Sequence, residues 1–599
     1  MTDATGTTFA ADDDLAKVPL PTLAASVDRF LEWCAPLLTP DEYARTEAAA
    51  RDLLAPGGTA ERLQADLERF DAEPSTDSWL DEFWPSRYLG RRDRIALNAN
   101  FFFLFGPGSE DPCLRAAELA TAALGHKADL DAGTFPPLAP RGVAQSMEQS
   151  RHIFSTTRIP GDPQDHVRSP HTDAWPGPST ERHVVVFRRG RIHRLDVLGP
   201  DGSAHTVDEL AGALREIRGT HPSRAAVAES VGSLTTLARA EWAGVRDRLA
   251  GLDPANAEAI DLVERALFAI CLDDERPADE TAACRTLLAG DSGNRWFDKA
   301  LSIVVLADGT AGVNIEHCEL DGTTVLTLVD AMFADSVRTH ADRAGAREQG
   351  APAHAELGFV LDDDLRATVA RAHDDFADFL AGTATSLVGF DDFGADDAKA
   401  LESSPDAFVQ AAYQVAHRRA KGVTGATYES IATRQFRRGR TEAMRVITPE
   451  MVAFVDAMQD PEASDDDRRT AFRAAADAHG ARARQCQQGD APEQHLWELE
   501  WIQRRRGERL GATEPLPVFA SPGWTVMRDD WLSTSSAPSA NIRYFGFGST
   551  SSRCIGVAYV LLPDRFHVHL STPRDQAGGM DAFARELRAA VAELRNLLA

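Results

Sequence analysis

Short apolar runs of strand length alternate with helical segments over most of this 599-residue chain. Runs at 101–105, 183–187, 192–197, 301–306 and 313–317 have strand length, and helical periodicity separates them at 234–249 and 325–340. Such alternation predicts an α/β or α+β architecture built on a large sheet. The hydrophobic fraction of 43% and the charged fraction of 26% are globular values, so collagen, coiled coil and wholesale disorder are excluded.

The C-terminal part of the chain predicts a second sheet. Helical patterns at 362–381 and through most of 405–510 precede strand-like runs at 542–547, 556–562 and 566–570. The last helix has one apolar stripe, formed by Phe583, Leu587, Val591, Leu594 and Leu598. The length admits about four small domains or two large ones.

The N-terminal segment differs from the rest. Residues 1–17 are small, polar and acidic, which predicts a mobile leader. Helical periodicity then dominates to about residue 72, with turn signals at Thr39-Pro40 and Pro56-Gly57-Gly58.

Charge and cysteine content exclude several classes of partner. The formal net charge of −29 disfavours nucleic acid and anionic lipid, and no apolar run approaches the roughly 18 residues of a membrane helix.

Seven cysteines without a C-x-x-C pair predict reduced thiols. We expect a cytoplasmic protein, since neither end has a targeting signal, and the preference for Arg over Lys suggests a GC-rich bacterial genome.

The segment 294–322 contains the most informative candidate residue. Asp308-Gly309 predicts a tight turn between two strands, and a period of two places Val313, Ile315 and His317 on one face. His317 then ends a strand, and Thr323 or Thr324 can cap the following helix. Carboxylates at 316, 319 and 321 are near in sequence. A carboxylate that holds one ring nitrogen leaves the other free to accept a proton, although a lone histidine at a strand end is more often structural.

Other candidate residues are weaker on their own. Ser533 and Ser535 project to one face of an extended segment, and Phe545 and Phe547 share a face opposite two glycines. Between His417 and Arg445 lie eight basic residues against two acidic ones, which suits a phosphate-bearing ligand. Loop serines, core phenylalanines and a solvated helix face would give the same patterns.

A series of short segments in a fixed order decides between these interpretations. The run N-R-W-F-D-K, strand, D-G, strand, E-H, with an acidic residue four positions later, resembles the catalytic segment of the choline/carnitine O-acyltransferases. The resemblance continues collinearly over nearly the whole chain, at 19–23, 78–84, 88–89, 98, 154–160, 234–243, 404–408, 427–430, 439–442, 532–535 and 547–548.

The resemblance implies a fold and a reaction. It implies two domains similar to chloramphenicol acetyltransferase subunits, with an active-site tunnel at their interface, and an acyl transfer from CoA to an alcohol. His317 would be the general base, Asp321 its acidic partner and Ser535 the oxyanion donor. No metal, tightly bound cofactor or covalent acyl-enzyme is implied; acyl-CoA is a substrate.

The resemblance also assigns binding residues. CoA would be bound by Lys399, Ser404, Asp406 and Arg440; the acceptor by Tyr428, Thr441, Gln494, Ser533 and Phe547; and Phe545 would close the acyl pocket, which implies a short acyl group. Two departures stand out. Ala395 replaces one of two lysines for the CoA 3′-phosphate, so a carrier-protein-bound donor stays open. Gln494 replaces an arginine that binds the carnitine carboxylate and Glu493 would repel that carboxylate, which favours choline or another carboxylate-free alcohol.

These observations predict four parts of the chain: a leader at 1–17, N-terminal helices at 18–89 packed on the second domain, a first domain at 90–365 with the catalytic histidine, and a second at 366–599. We expect a monomer that binds acyl-CoA and a small alcohol, with neither nucleic acid nor membrane as a partner. Three other functions stay open: a thioester hydrolase, a carrier-protein-dependent acyltransferase of specialised metabolism and, less favoured, a non-catalytic acyl-thioester-binding relative.

Overall fold

The chain divides into two units whose segments alternate along the sequence. The computed structural model describes residues 7–81 and 84–599. The first unit contains 7–12, Pro85–Thr383 and Ser539–Gly548, and the second contains Asp13–Trp84, Ala384–Pro538 and Ser549–Ala599.

Strands and helices of both units are numbered in chain order. The strands are β1 Phe101–Phe105, β2 Thr157–Ile159, β3 His166–Arg168, β4 His183–Arg188, β5 Arg191–Asp196, β6 Ala269–Leu272, β7 Leu301–Val305, β8 Ala311–Ile315, β9 His354–Glu356, β10 Thr383–Phe390, β11 Thr427–Ala432, β12 Thr441–Arg445, β13 Leu532–Ser536, β14 Ile542–Phe547, β15 Ile555–Leu561 and β16 Phe566–Pro573.

The helices are α1 Leu23–Cys34, α2 Pro40–Asp52, α3 Thr59–Asp71, α4 Trp84–Leu89, α5 Pro112–Asp131, α6 Val207–Thr220, α7 Arg239–Leu252, α8 Pro254–Arg265, α9 Glu280–Leu288, α10 Gly322–Ala334, α11 Val337–Arg343, α12 Asp363–Ala381, α13 Ala395–Ala400, α14 Pro405–Lys421, α15 Pro449–Gln459, α16 Asp465–Gln487, α17 Glu493–Leu510, α18 Pro522–Arg528 and α19 Ala577–Leu598. Within the described ranges, no helix has the length and apolarity needed to cross a membrane.

The first unit is built on an eight-stranded mixed sheet in the order β14-β1-β8-β7-β6-β4-β5-β9. Strand β1 is fully buried and lies between β14 and β8, antiparallel to both. Its register pairs Phe101 with Phe547 on one side and with Ile315 on the other. Strand β14 comes late in the sequence, yet only β1 separates it from β8 in the sheet. Phe101 of β1 therefore lies between Phe547 of β14 and Ile315, the last residue of β8.

The second unit is built on a six-stranded sheet in the order β10-β16-β15-β13-β11-β12. Strand β13 is parallel to both β11 and β15, whereas β12 is antiparallel to β11 and β16 is antiparallel to β15. Helices α14 and α19 cover this sheet, and Phe583, Leu587, Val591 and Leu594 of α19 are buried as their spacing predicts. Both units are therefore α/β with mixed sheets, as predicted.

The unit boundaries differ from the predicted domains at several places: the first unit begins at Pro85 and runs to Thr383 instead of ending at 365, so α12 belongs to it. Residues 539–548 belong to the first unit and not to the second, because β14 pairs with β1. In the predicted leader, residues 1–6 lie outside the described part, and residues 7–12 pack on the first unit. Thr8 is fully buried and its hydroxyl donates to the carbonyl of Phe135 at 2.6 Å. Part of the predicted leader therefore packs against the first unit.

Candidate active site

His317 lies in the short connection between β8 and α10. The hairpin of β7 and β8 turns at Asp308-Gly309, where Gly309 has a φ of +85°, as the sequence predicts. Two details differ from the prediction. Strand β8 ends at Ile315, two residues before His317, and the N-cap of α10 is Asp321, because the helix already begins at Gly322.

Asp321 faces His317 and is itself held by a glutamine. The Nδ1 atom of His317 lies 3.6 Å from Oδ1 of Asp321, whose side chain is 2% exposed. The other carboxylate oxygen, Oδ2, accepts a hydrogen bond from Nε2 of Gln149 at 2.8 Å. The position of Asp321 at the N-terminus of α10 also favours its negative charge. The predicted acid partner is thus directed at one ring nitrogen.

Aromatic rings fix the plane of His317. Tyr88 stacks on the imidazole with ring centroids 4.7 Å apart and an interplanar angle of 18°. Phe101 meets the imidazole edge-on at 5.5 Å. The side chain of His317 remains 25% exposed, so the ring is held without being enclosed.

The two phenylalanines predicted near the substrate belong to the same aromatic cluster. Phe545 and Phe547 lie on one face of β14 with ring centroids 5.7 Å apart. Phe545 contacts Phe101 at 6.1 Å and Phe103 at 5.4 Å, and it is buried. Since Phe101 contacts His317, the first unit brings the predicted base, its acid and both phenylalanines together.

Four predicted residues of the second unit share one face of its sheet. Tyr428 pairs with Ser533 across β11 and β13, and Thr441 of β12 pairs with Ala432 of β11. Strand alternation places Ser535 on the same face as Ser533. The hydroxyl of Ser535 lies 3.3 Å from that of Ser430.

Gln494 and Glu493 border this face at the start of α17. Gln494 is buried and its amide donates to the carbonyl of Thr441 at 3.1 Å. Arg445 donates to both oxygens of Glu493 at 2.7 and 2.8 Å, which weakens the predicted repulsion of a carboxylate by Glu493. Arg445 also donates to Asp530 at 2.5 Å. The charge of Glu493 is therefore partly offset by an arginine that it shares with Asp530.

The four residues predicted to bind CoA each have local partners. Lys399 of α13 is 61% exposed and pairs with Asp396 at 2.8 Å, and Ser404 is the N-cap of α14. Arg440 lies in the turn between β11 and β12, where its carbonyl accepts from the amide of Thr433 at 2.9 Å. Asp406 accepts from the hydroxyl of Tyr559 at 2.6 Å.

Asp406 belongs to a group with Glu429 and His479. The Nε2 atom of His479 lies 3.1 Å from Glu429 and 3.8 Å from Asp406. Burial, with Asp406 nearby, raises the pKa of Glu429 to about 7. Burial opposes the charge of His479, but Glu429 and Asp406 outweigh it and raise the pKa of His479.

Comparison with known proteins agrees with these features. The family model for choline/carnitine O-acyltransferase matches residues 18–589. The chain belongs to the choline/carnitine O-acyltransferase family. Carnitine O-acetyltransferases of Rattus norvegicus and Columba livia are 29% and 30% identical to it, over 98% of this chain and 94% and 93% of theirs. Mitochondrial carnitine O-palmitoyltransferase 2 of Rattus norvegicus is 29% identical, over 94% of this chain and 89% of that protein.

Membership of the choline/carnitine O-acyltransferase family establishes several predictions. The protein is an acyltransferase that uses CoA thioesters, and the family has no tightly bound cofactor. The resemblance on which the sequence prediction depended is confirmed. The roles of individual site residues stay predictions.

Several segments that carry the family resemblance form a buried ion network behind His317. Arg158 donates to Glu316 at 3.0 Å, to Asp165 at 2.6 Å and to the carbonyl of Tyr88 at 2.7 Å. Arg239 and Trp242 add contacts to Asp298 at 2.8 and 2.6 Å. Because Glu316 precedes His317 and Tyr88 stacks on it, these motifs position the histidine.

The basic cluster at 417–445 contributes less positive charge than its sequence predicts. Five of its members pair with carboxylates: Arg418 with Asp456, Arg419 with Glu593, Arg437 and Arg438 with Asp77, and Arg445 with Glu493 and Asp530. These arginines hold elements of the second unit together, so the sequence count overstates the charge available to a phosphate.

Sequence reasoning missed two groups that touch the site. Phe101 and Phe103 appeared only as an apolar strand, and no local signal singles them out. Gln149 lies 172 residues from Asp321, in a segment without a motif. Tyr88 lies in the segment 88–89, which is part of the family resemblance. That resemblance was the one sequence signal that pointed to Tyr88.

Proposed function

We propose that this protein transfers a short acyl group from CoA to an alcohol without a carboxylate, such as choline, with His317 as general base. The observation that carries the proposal is the contact of Asp321 with Nδ1 of His317 at 3.6 Å. A carboxylate there leaves Nε2 as the proton acceptor and stabilises the imidazolium that forms.

The reaction follows from these roles. Nε2 of His317 takes the hydroxyl proton while the acceptor oxygen attacks the thioester carbonyl. The family resemblance assigns to Ser535 the hydrogen bond that the tetrahedral oxyanion accepts, a type of contact worth about 3 to 4 kcal/mol. When the C–S bond breaks, the imidazolium returns the proton to the CoA sulfur. The products are the ester and free CoA.

The charge around Tyr428 supports an acceptor without a carboxylate. The guanidinium of Arg445 lies 5.6 Å from the ring of Tyr428, but Glu493 and Asp530 already engage it. Gln494 is neutral and cannot form the two-pronged charged pair with a carboxylate. Carnitine is the second candidate, because the similar proteins above are named for it.

The aromatic cluster supports a short acyl group. Phe545 packs against Phe101, Phe103 and Phe547, and Phe101 in turn contacts the ring of His317. A bulky side chain there leaves little room for an alkyl chain. Family membership alone leaves chain length open, since its relatives include both acetyl- and palmitoyltransferases.

A thiol-release assay tests the proposal. With acetyl-CoA and separate choline, carnitine and polyol acceptors, we expect choline-type alcohols to exceed carnitine at least tenfold. His317→Ala should lower transfer by a factor on the order of 10² to 10⁴, with CoA binding unchanged by calorimetry. Wild-type activity in His317→Ala, or a tenfold preference for carnitine, would contradict it. Thiol release without any acceptor would indicate a hydrolase.

A further inference from the structure

Gln149 makes three hydrogen bonds, and all of them go to Asp321 and the first turn of α10. Its Nε2 donates to Oδ2 of Asp321, and its Oε1 accepts from the backbone amide of Asp321 and from the hydroxyl of Thr324. Each distance is 2.8 Å. One amide therefore holds both the carboxylate and the backbone of the same residue, which fixes the rotation of the carboxylate.

The turn that carries Gln149 has separate anchors. Gln149 belongs to the 3₁₀ turn Glu148–His152, and its side chain is buried. The amide of Met147 donates to Asp12 at 2.9 Å, and the ring of His152 hydrogen-bonds Ser169 at 2.8 Å. Arg151 and Glu148 form an ion pair at 2.9 Å. Because none of these contacts involves Gln149, its side chain is not what holds the turn in place.

We infer that Gln149 is a positioning residue that aligns the Asp321 carboxylate with His317. The inference rests on the proposed role of His317 as base. With Oδ2 bound to Gln149, Oδ1 is the carboxylate oxygen left to face Nδ1 of His317. Loss of this alignment releases the histidine to rotate or to take the wrong tautomer, and misplacement by about 1 Å can cost a hundredfold in rate.

The alignment also affects the protonation of His317. Ionised Asp321 favours the imidazolium, so a carboxylate that turns away makes the protonated ring less stable. Glu316 and Glu319 are the other carboxylates near His317 in the sequence, and Glu316 pairs with Arg158 at 3.0 Å. Tyr88 and Phe101 cover the ring without charge. The acidic limb of kcat/KM is therefore expected to move to lower pH when the alignment is lost.

The test compares Gln149→Met with Thr324→Val. Methionine keeps the size of glutamine but removes all three hydrogen bonds, whereas Thr324→Val removes only the bond that does not involve Asp321. For Gln149→Met we expect kcat to fall about ten- to a hundredfold, KM to stay within about twofold, and the acidic limb to move to lower pH. Thr324→Val should keep kcat within about threefold and the wild-type pH profile.

Three outcomes separate this inference from the proposed function. Wild-type kcat and pH profile in Gln149→Met, with His317→Ala inactive, would overturn the inference alone. Wild-type activity in His317→Ala would overturn the proposed function. A lower Tm with an unchanged pH profile would show a purely structural role and also overturn the inference. If Gln149→Met does not fold, Gln149→Glu replaces it in the test, because glutamate keeps the acceptor oxygen but loses the amide donor. A wild-type kcat in Gln149→Glu would also overturn the inference.

Discussion

Phe545 is the residue whose size we expect to set acyl-chain length. Its ring packs against Phe101 and Phe103 and is 6% exposed. Phe545→Gly removes the whole ring and opens space beside the site, so octanoyl-CoA should become a better donor. We expect the ratio of kcat/KM for octanoyl- over acetyl-CoA to rise at least tenfold. Phe390→Leu, in the second unit, is the control, and a wild-type preference for palmitoyl-CoA would refute the prediction.

Gln494 is the residue whose charge we expect to set acceptor choice. A charge-assisted hydrogen bond contributes about 1.5 to 3 kcal/mol, and Gln494 cannot offer one to a carboxylate. Gln494→Arg should therefore raise kcat/KM for carnitine about tenfold and lower it for choline. Gln503→Arg, on the same helix α17, should leave the ratio unchanged. An unaltered ratio in Gln494→Arg would show that another group selects the acceptor.

At the scale of single residues, sequence and structure contribute different information. His317 and Asp321 are four residues apart, so their contact could be predicted from local spacing and the family pattern. The bond from Gln149 to Asp321 spans 172 residues, and no local pattern contains such a contact. Likewise, the sequence showed Glu493 but not the arginine that pairs with it, because Arg445 lies 48 residues earlier.

At the scale of elements, the family resemblance implies that α13 lacks part of a phosphate site. Lys399 is exposed and already pairs with Asp396, and Ala395 stands where the family has a second lysine. An exposed ion pair contributes only about 0.2 to 1 kcal/mol, so we expect KM for CoA and dephospho-CoA to agree within about tenfold. Ala395→Lys should widen that ratio. A large wild-type penalty for dephospho-CoA would contradict this.

Strand β2 and the segment after β8 are joined by a buried ion pair. Arg158 is 1% exposed and bonds both Glu316 and Asp165. Removal of one partner of a buried pair leaves an uncompensated charge and costs about 3 to 5 kcal/mol. Arg158→Met should lower the free energy of unfolding of the first unit by that amount in urea. Arg215→Met, at an exposed pair with Asp111, should change it by less than about 1 kcal/mol.

At the scale of the whole molecule, buried histidines make the protein sensitive to acid. Burial lowers the pKa of His126, His495 and His569 to about 3 and of His193 and His417 to about 4. The unfolded chain binds these protons below about pH 6.5. The stability they contribute is therefore present above that pH and is lost as pH falls towards 4 and 3.

Three buried carboxyls act in the opposite direction. Burial raises the pKa of Asp298 and Asp530 to about 6 and that of Glu429 to about 7. The stability they contribute is present below about pH 4 and is lost as pH rises through 6 and 7. Each pKa unit is worth about 1.4 kcal/mol. Because the five histidines are more numerous and their pKa shifts are at least as large as those of the three carboxyls, the histidines dominate the change in stability as the pH falls.

We therefore expect Tm to fall between pH 6.5 and pH 4.5, as measured by calorimetry at constant ionic strength. His495→Gln should reduce this fall, because His495 is fully buried between Ser26 and Gln64. His166→Gln, at an exposed position of β3, should leave it unchanged. A Tm that rises towards pH 4.5 would show that the carboxyls dominate.

The sequence by itself determined the α/β class, the hairpin before His317, the apolar stripe of α19 and the acyltransferase family. These features are local or collinear, since each depends on residues a few positions apart or on motifs in a fixed order. The tertiary structure alone decided that β14 joins the first unit, that five arginines are neutralised and that Gln149 holds Asp321. Those facts depend on contacts between residues far apart in the chain, which strand register and buried charge pairing establish only when the chain folds.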